Sequence, residues 1–227
     1  MRNTILFSFL VVCAHCFTQS AFDLIKGVNA KISLIKDYKA EIQIKAAIPF
    51  IKVPLTNATI YYKKYDKFKV VSKGIAILPK QGTNDLTRFL SNSSKYVPVL
   101  GEQKVINQHT TRLVTVIPTE ENNEIILAKV YISPSEKLIY RSVVTTKSSG
   151  TMTVDYEYGN NKAYGLPSKM IFTVDVKKFK MPKSVAADIR SNTAKKKYNE
   201  NEKGTIVLTV TRYAINIGLT DAFFKTN

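Results

Sequence analysis

The sequence contains few of the residues that catalysis and covalent cross-linking require. Its 227 residues include two cysteines, Cys13 and Cys16, and two histidines, His15 and His109. Both cysteines and His15 lie among the first twenty residues, so their removal on export would leave no disulfide and no thiolate metal site. The glycines are not clustered into a phosphate-binding loop, so the sequence gives no support for nucleotide binding.

The N-terminal segment has the pattern of an export signal. Arg2 provides a positive start, residues 5–16 are nearly all apolar, and Thr18 and Ser20 are small residues of the kind that precede a cleavage site. We expect cleavage near Ser20 or Ala21. The apolar run is shorter than the roughly twenty residues that span a membrane, so we expect the mature protein to be soluble.

This cleavage predicts a signal peptide, residues 1–20, followed by one domain, residues 21–227. A lipoprotein signal is the alternative interpretation of the two early cysteines. It requires a small residue directly before the cysteine, whereas Cys13 follows Val12 and Cys16 follows His15.

Positive charge dominates the composition. Lysine and arginine number 34 against 17 acidic residues, a net charge of +17, and loss of Arg2 with the signal leaves +16. A charge of this size attracts polyanions, anionic membrane surfaces and acidic proteins without selecting among them. The basic residues are spread along the chain and accompany no known nucleic-acid-binding signature, so we do not expect a nucleic-acid partner. A basic surface that only keeps the protein soluble is the simplest alternative.

One amphipathic helix is predicted near the start of the domain, over residues 23–35. Its apolar residues recur at intervals of three and four, and Asp23 is available to cap the free backbone amides. The apolar period then changes to two, which predicts a first strand. The helical residues are Ile25, Val28, Ile32 and Ile35, and the strand residues are Ile42, Ile44, Ala46 and Ile48.

Further alternating segments bring the prediction to about ten or eleven strands. Two surround Tyr61 and Val70, a third is "GIAILP" at residues 74–79, and a pair ends at Pro118. Two more flank "SPSEK", a connection suited to an antiparallel hairpin. The last three lie in "GTMTVDYEYG", "SKMIFTVDVKKF" and "GTIVLTVTRYAINI".

The remaining segments predict a bulge, two short helices and a loop. In the last strand the inward set shifts from Ile206, Leu208 and Val210 to Tyr213, Ile215 and Ile217, which predicts a bulge or bend between them. Short helices are predicted in "NDLTRFLSN", after Asn84 or Asp85, and in "KSVAADIRS". The polar stretch "NTAKKKYNENEKG" predicts a mobile loop.

These elements predict a mainly β (α+β) protein. Strict alternation means that the sheet is apolar on one face, as in antiparallel sheets. Three helices of this size cannot cover ten strands, so the sheet must curl into a barrel or half-barrel, and such a sheet tends to enclose a cavity. We expect a single curved antiparallel sheet that forms an unclosed barrel, with an N-terminal helix and short helices beside it. For each aromatic residue of the inner face, ordinary core packing is the alternative to ligand contact.

The sequence offers no convincing catalytic or metal site. His109 lies in the polar segment "NQHTTR", where a single histidine is expected to be a surface residue. Asp155 and Glu157 share one strand face, but alternation directs that face outward. Glu120, Glu121 and Glu124 lie in a turn, where acidic residues and asparagines are common. We therefore expect neither an enzyme nor a protein that holds a metal or cofactor.

The order of these elements resembles the LolA-like family of periplasmic outer-membrane lipoprotein carriers. After an export signal and a first helix come "KDYKAEIQIK" and "ATIYYKKYDKFKVVS". Within the second run, "YKKYDKFKV" is similar to the family's "KRP..F" motif, with Lys63, Lys64 and Phe68 in the motif positions. The segments "YGLPSKMIFTVDVKKFKMP" and "INIGLTDAFF" resemble versions found in Bacteroidota-type bacteria. The resemblance covers most of the domain in order, through short motifs.

The resemblance implies an unclosed β-barrel with helices as a lid over an apolar cavity that receives the acyl chains of lipoproteins. Lys64 stands where the family has the arginine that ties the lid to the barrel, and Tyr65 where it has proline. A lysine offers a point charge in place of a rigid fork of donors. Relatives that sense or bind lipids without shuttling lipoproteins also belong to the family.

We therefore expect a monomeric periplasmic carrier that sorts lipoproteins or other lipids to the outer membrane, with transient contacts to partners at the inner and outer membranes. Lys64 is the candidate for lid or headgroup contact. The candidates for the lipid-binding cavity, chosen because their strands alternate cleanly, are Ile42, Ile44, Tyr62, Phe68, Val70, Met152, Val154, Tyr156, Tyr158, Met170 and Phe172.

Two alternative functions remain open on the sequence. An envelope binding module with a fully packed interior would dock acidic partners or polysaccharides through its basic surface, and this binding would weaken with salt. A hydrolase that uses carboxylates would need two acidic residues facing into the cavity, and the sequence offers no convincing pair.

Overall fold

The computed structural model describes residues 20–49, 53–65, 67–72, 84–175 and 203–225. The predicted strand at 74–79, the predicted helix in "KSVAADIRS", most of the predicted loop after it and the predicted signal peptide before Ser20 lie outside these residues. The α-helices are α1 (Ala21–Ser33), α2 (Asn84–Ser91) and α3 (Asp221–Lys225). The strands are β1 (Asp37–Ala47), β2 (Thr56–Lys63), β3 (Lys67–Ser72), β4 (Tyr96–Ile106), β5 (His109–Pro118), β6 (Ile125–Ser133), β7 (Leu138–Thr146), β8 (Gly150–Tyr158), β9 (Pro167–Asp175) and β10 (Lys203–Ile215).

All ten strands belong to one antiparallel sheet, in the order β3-β2-β1-β10-β9-β8-β7-β6-β5-β4. Among the described residues, β3 and β4 are its two edges, so the sheet is not closed into a barrel. The first and last strands, β1 and β10, pair with each other inside the sheet. The fold predicted from the alternating pattern, a single mainly β unclosed sheet with few helices, is therefore confirmed.

A bulge interrupts the β1–β10 pairing. Glu41 pairs with Arg212, but the next residue of β1, Ile42, pairs with Val210, so Thr211 is the extra residue. This confirms the bulge predicted between Val210 and Tyr213, which keeps apolar residues of both halves of β10 on one face. Ile217 is an exception, because it follows the end of β10 and is exposed.

Helix α1 begins two residues earlier than predicted because Ser20, and not Asp23, is its N-cap. The Ser20 hydroxyl accepts a hydrogen bond from the Asp23 N–H (3.1 Å), and the Asp23 carboxylate accepts one from the Ser20 N–H (3.2 Å). This reciprocal capping box satisfies two amides that the helix leaves unpaired. Leu24, Ile25 and Val28 are buried on the inner face of the helix. Each apolar side chain fully buried in this way stabilises the fold by about 1.5–3 kcal/mol.

The described residues form two large apolar clusters on the inner face of the sheet and a small third cluster of Ile106, Leu138 and Tyr140. In the first, the helix cluster, α1 and α2 pack on strands β4 to β7. In the second, the strand cluster, the buried members come from β1, β2, β8, β9 and β10 and from Ile48 just after β1. The main members of the helix cluster are Leu24, Ile25, Val28, Leu86, Phe89, Leu90, Val114, Val116, Ala128, Val130 and Ile132. The buried members of the strand cluster are Ala40, Ile42, Ile44, Ala46, Ile48, Ala58, Ile60, Val154, Tyr156, Met170, Phe172, Ile206 and Leu208.

The chain is tied together where β1 begins and β10 ends. Asp37 is 4% exposed, and its carboxylate accepts backbone hydrogen bonds from Ile217 (2.8 Å) and Gly218 (3.1 Å). Gly218 has a φ of +77°, a backbone conformation that glycine adopts without steric cost. Asn216 adds hydrogen bonds to Leu34 and Lys36. We call this end of the sheet the Asp37 end.

Helix α3 packs against the β2–β3 hairpin on the face opposite the strand cluster. Asp221 bridges Lys63 (2.7 Å) and Lys67 (2.5 Å), and Phe223 packs on Tyr61 with ring centroids 4.6 Å apart. The lysine hydrogen bonds lower the pKa of the Asp221 carboxyl to about 2. The sequence pattern did not predict this helix, because five residues are too few for a periodic signal.

Candidate functional site

The strand cluster is the candidate site, and strand register explains how it forms. Ile42 lies opposite Ala58 on one side and Val210 on the other, because β1 is flanked by β2 and β10. Along β8 and β9, Val154 pairs with Phe172 and Tyr156 pairs with Met170 in the same way. Directly paired residues project from the same face of a sheet, so five strands supply one continuous apolar surface. Within the described chain, no residue of α1, α2 or α3 belongs to it.

Nine of the eleven residues predicted for the cavity come together in this cluster. Six of them are buried members: Ile42, Ile44, Val154, Tyr156, Met170 and Phe172. Three are partly buried and pack against it: Val70, Met152 and Tyr158. Their role in lipid binding stays a prediction.

The other two predicted residues lie at the border of the cluster. Tyr62 stacks on Tyr38, with ring centroids 5.1 Å apart, and Tyr38 packs against the cluster. Phe68 pairs with Tyr62 and therefore projects from the same face, but its side chain is 44% exposed. The exposure arises because β3 is the edge strand of the described sheet, so Phe68 has a neighbouring strand on one side only.

The predicted set omits several residues of the same surface. Tyr38 lies four residues before Ile42 in β1 and therefore projects from the same face. Ile206 and Leu208 belong to the inward set of β10, so the alternation is sufficient to find all three residues. Ala58 and Ile60 in β2 are recognised by their pairing with β1, which the sequence does not specify.

Tyrosine hydroxyls provide the polar groups of this surface, and most of them are paired. The Tyr156 hydroxyl lies 3.0 Å from that of Ser142. The hydroxyls of Tyr158 and Tyr213 donate to the carbonyl oxygens of Ile139 (2.8 Å) and Pro167 (3.0 Å). Burial raises the pKa of Tyr156 to about 12 and that of Tyr158 well above its ordinary value. These three tyrosines therefore stay neutral and hydrogen-bonded inside the protein.

Tyr38 differs from these neighbours. Its ring packs between Tyr62 and Tyr213, with the Tyr213 centroid 5.7 Å away in an edge-on arrangement. The residue is partly buried, and desolvation raises the pKa of its hydroxyl. Among the described residues no hydrogen-bond partner lies within reach of the Tyr38 hydroxyl.

Lys64, the predicted lid or headgroup contact, lies in the turn after β2 at the Asp37 end. Its backbone N–H donates to the Lys36 carbonyl oxygen (2.8 Å), and its side chain is exposed. In the part of the chain that the structure describes, its ammonium group pairs with no carboxylate. The predicted role of Lys64 stays a prediction.

The carboxylates of β8 face away from the strand cluster, as predicted. Asp155 forms a two-point ion pair with Arg141, at 2.6 Å and 3.0 Å, and Glu157 pairs with Lys169 at 2.9 Å. The hydrogen bond to Asp155 raises the pKa of the Arg141 guanidinium. These acidic groups are neutralised on the outer face and do not form an acid–base pair directed at the apolar surface.

His109 lies on the surface in a small polar group. Its ring stacks on Tyr140 with centroids 3.8 Å apart, and its Nδ1 lies 3.3 Å from a Glu136 oxygen. The Tyr140 hydroxyl donates to Glu136 (2.5 Å), which lowers the pKa of the Glu136 carboxyl, and Lys162 contributes to the same shift.

No cluster of three or more histidine, cysteine, aspartate or glutamate residues suited to a metal occurs in the described ranges. None of the helices found there has both the length and the apolar character needed to cross a membrane.

No protein-family model matches the chain, and no curated protein matches it at a significant level. Solved structures do match it over nearly its whole length. A putative outer membrane lipoprotein-sorting protein domain from Vibrio parahaemolyticus has a TM-score of 0.59 at 10% identity, covering 90% of this chain and 95% of that one. The LolA superfamily protein NE2245 from Nitrosomonas europaea has a TM-score of 0.58 at 11% identity, covering 91% of this chain and 98% of that one. A DUF1329 family protein from Desulfovibrio piger ATCC 29098 has a TM-score of 0.55 at 12% identity, covering 90% of this chain and 95% of that one.

At these identities the similarity concerns the fold alone. The chain has a LolA-like fold, which confirms the fold inferred from the order of its elements and from "YKKYDKFKV". Its resemblance to Bacteroidota-type versions stays a prediction.

Proposed function

We propose that this protein is a periplasmic carrier that binds the acyl chains of lipoproteins or other lipids and delivers them toward the outer membrane. The observation that carries the proposal is the division of the inner face. One half of the sheet is packed by α1 and α2, whereas no described helix contributes to the strand cluster. The LolA-like fold of a lipoprotein-sorting domain and of a LolA superfamily protein supports the same function.

The chemistry of the strand cluster suits an acyl chain. Each buried methylene contributes about 0.8 kcal/mol, so ten methylenes supply roughly 8 kcal/mol without a specific polar contact. The aliphatic and aromatic side chains of five strands offer a long apolar surface of this kind. The Tyr38 hydroxyl is placed to donate a hydrogen bond to an ester or amide carbonyl at the head of the chain. No catalytic step, metal or cofactor is needed, and the proposed carrier acts as a monomer.

Native mass spectrometry tests this function on protein purified without detergent from a Gram-negative periplasm. We expect discrete adducts that extract into organic solvent as acylated molecules. A clean ligand-free mass, with no uptake of added phospholipid or lipopeptide, would refute the proposal.

Two matched substitutions locate the bound chain. Ala58 lies in the strand cluster at 7% exposure and Ala128 in the helix cluster at 0%. We expect Ala58→Leu to lower the bound lipid per folded molecule because it fills volume that the acyl chain needs. We expect Ala128→Leu to destabilise the protein by about 1–3 kcal/mol through overpacking while the remaining folded molecules keep their lipid. Equal lipid content in both variants would remove the strand cluster as the site.

An envelope module that docks acidic partners is the second candidate, and the net charge of +17 favours it. The two functions differ in their response to salt. Attraction between surface charges falls steeply with ionic strength, whereas burial of an acyl chain holds or strengthens. Lipid retention at high salt therefore supports the carrier.

A further inference from the structure

Three connections meet at the Asp37 end and are fixed to one another by hydrogen bonds. The link from α1 to β1, the β2–β3 turn and the link from β10 to α3 all lie there. The Lys36 carbonyl oxygen accepts a hydrogen bond from the Lys64 N–H (2.8 Å), and the Lys36 N–H donates to the Asn216 side chain (2.7 Å). Asn216 also donates to the Leu34 carbonyl oxygen (3.1 Å). The three connections thus form one surface.

This surface exposes large apolar side chains beside two exposed lysines. Leu34, Tyr65 and Ile217 are 55%, 87% and 49% exposed. Lys36 and Lys64 are exposed, and neither ammonium group has a carboxylate partner among the described residues. We call these five residues the basic apolar patch.

The nearby described carboxylates do not neutralise the patch. Asp37 is turned inward and accepts backbone hydrogen bonds, and Asp221 is held by Lys63 and Lys67. Asp66, next in sequence to Tyr65, lies outside the described residues.

Tyr65 is the most informative residue of the patch because its placement does not favour folding. It has a φ of +73°, in the left-handed region that is unfavourable for a bulky side chain and that asparagine tolerates better. Its ring also gains little from burial, because 87% of the residue is exposed. A left-handed turn position of this kind suits glycine or asparagine, so a tyrosine here points to a contact outside the folded protein itself.

We infer that the basic apolar patch docks the protein on the surface of an anionic phospholipid bilayer. Tyrosine is enriched at membrane interfaces, where its ring meets the acyl region and its hydroxyl meets the headgroups. Leu34 and Ile217 add apolar area beside it, and Lys36 and Lys64 face the phosphate charges. The net charge of +17 attracts the protein to the same surface. This inference goes beyond the proposed carrier, since docking does not require that the strand cluster binds acyl chains.

Vesicle flotation tests the inference directly. We expect the protein to float with phosphatidylcholine vesicles that contain phosphatidylglycerol, less with phosphatidylcholine alone, and less as salt is raised. Lys36→Gln and Lys64→Gln should each weaken binding about fivefold, because each removes one cation near the anionic surface. Tyr65→Asn should weaken binding about tenfold, because it removes the apolar ring.

Tyr65→Asn also keeps the test free of folding artefacts, because asparagine relieves the backbone conformation. Val99 is 48% exposed on β4, and Lys129 is exposed on β6, both outside the patch. Val99→Ser and Lys129→Gln are therefore matched controls that should bind vesicles like the unmodified protein. The lipid adducts seen by native mass spectrometry should be unchanged in Tyr65→Asn, so loss of docking and loss of acyl binding are distinguished.

Three results would overturn the inference. The first is no flotation with anionic vesicles, and the second is equal flotation with both kinds of vesicle. The third is flotation that the patch variants and the control variants reduce to the same extent. Retention on an acidic protein that Lys36→Gln abolishes, without vesicle binding, would assign the patch to a protein partner.

Discussion

Removing the hydroxyl group of Tyr38 should stabilise the ligand-free protein, whereas removing that of Tyr156 should destabilise it. Both substitutions, Tyr38→Phe and Tyr156→Phe, delete one oxygen atom from the same apolar surface. The Tyr156 hydroxyl lies 3.0 Å from Ser142, which is 0% exposed, whereas the Tyr38 hydroxyl has no partner among the described residues. The two variants therefore separate a paired from an unpaired polar group.

The magnitudes follow from the cost of an unsatisfied hydroxyl. Tyr156→Phe leaves the buried Ser142 hydroxyl without this partner, so we expect its free energy of unfolding to fall by about 1–3 kcal/mol. Tyr38→Phe removes a hydroxyl on a partly buried residue that has no hydrogen-bond partner among the described residues, so we expect a rise of up to about 1 kcal/mol. For a protein of this size, 1 kcal/mol corresponds to about 2–4 °C in Tm.

Urea and thermal unfolding of delipidated protein measure both effects. If Tyr38 donates to the carbonyl of a bound ligand, Tyr38→Phe should also weaken binding of an acylated ligand by about twofold to tenfold while it stabilises the free protein. Equal destabilisation by the two substitutions would refute the reasoning, because it would mean that the Tyr38 hydroxyl is already paired.

Three further predictions concern the framework around the site. Leu24→Ala should lower the free energy of unfolding by about 2–5 kcal/mol in urea titrations, because the side chain of Leu24, a residue of α1, is fully buried. Asp221 has a folded pKa of about 2 against an ordinary 3.8, so its contribution to α3 docking is present above pH 3.8 and is lost as the pH falls toward 2. The protection factors of the α3 amides, which correct for the pH dependence of intrinsic exchange, should fall over that range, and Asp221→Asn should abolish the dependence. Arg141→Gln should lower the free energy of unfolding by about 1–3 kcal/mol, because it removes a two-point, partly buried ion pair with Asp155.

Alternation is a sufficient guide to the strands and to most of the inner face. It places Ile42, Ile44, Val154 and Phe172 on one surface without knowledge of the strand pairing, because residues two apart project from the same side of a strand. It also locates the bulge in β10, because the apolar positions shift by one residue along the strand, which indicates one extra residue.

Other features depend on contacts that no local pattern specifies. The exposure of Phe68 follows from the edge position of β3 in the described part of the sheet, and a strand's place in a sheet is a property of the whole chain. Helix α3 depends on Lys63 and Lys67, more than 150 residues earlier in the sequence. The predicted cap of α1 is wrong because Ser20 also fits the end of an export signal, although it stands three residues before Asp23 in a capping box.

The position of α1 is the feature that the sequence pattern determines least. The periodicity of Ile25, Val28 and Ile32 predicts an apolar helix face but not which half of the sheet it covers. The structure places it with α2 on β4 to β7, and this placement defines the strand cluster as a separate surface.

Photocrosslinking tests the central claim most directly. A lipopeptide or phospholipid with a diazirine at the end of its acyl chain is loaded on the delipidated protein, and the crosslinked peptides are identified by mass spectrometry. The account predicts crosslinks to β1, β8 and β9, around Ile44, Tyr156, Met170 and Phe172. Crosslinks that map to the outer face, or that occur at the same frequency in Ala58→Leu, would contradict an acyl-binding role for the strand cluster.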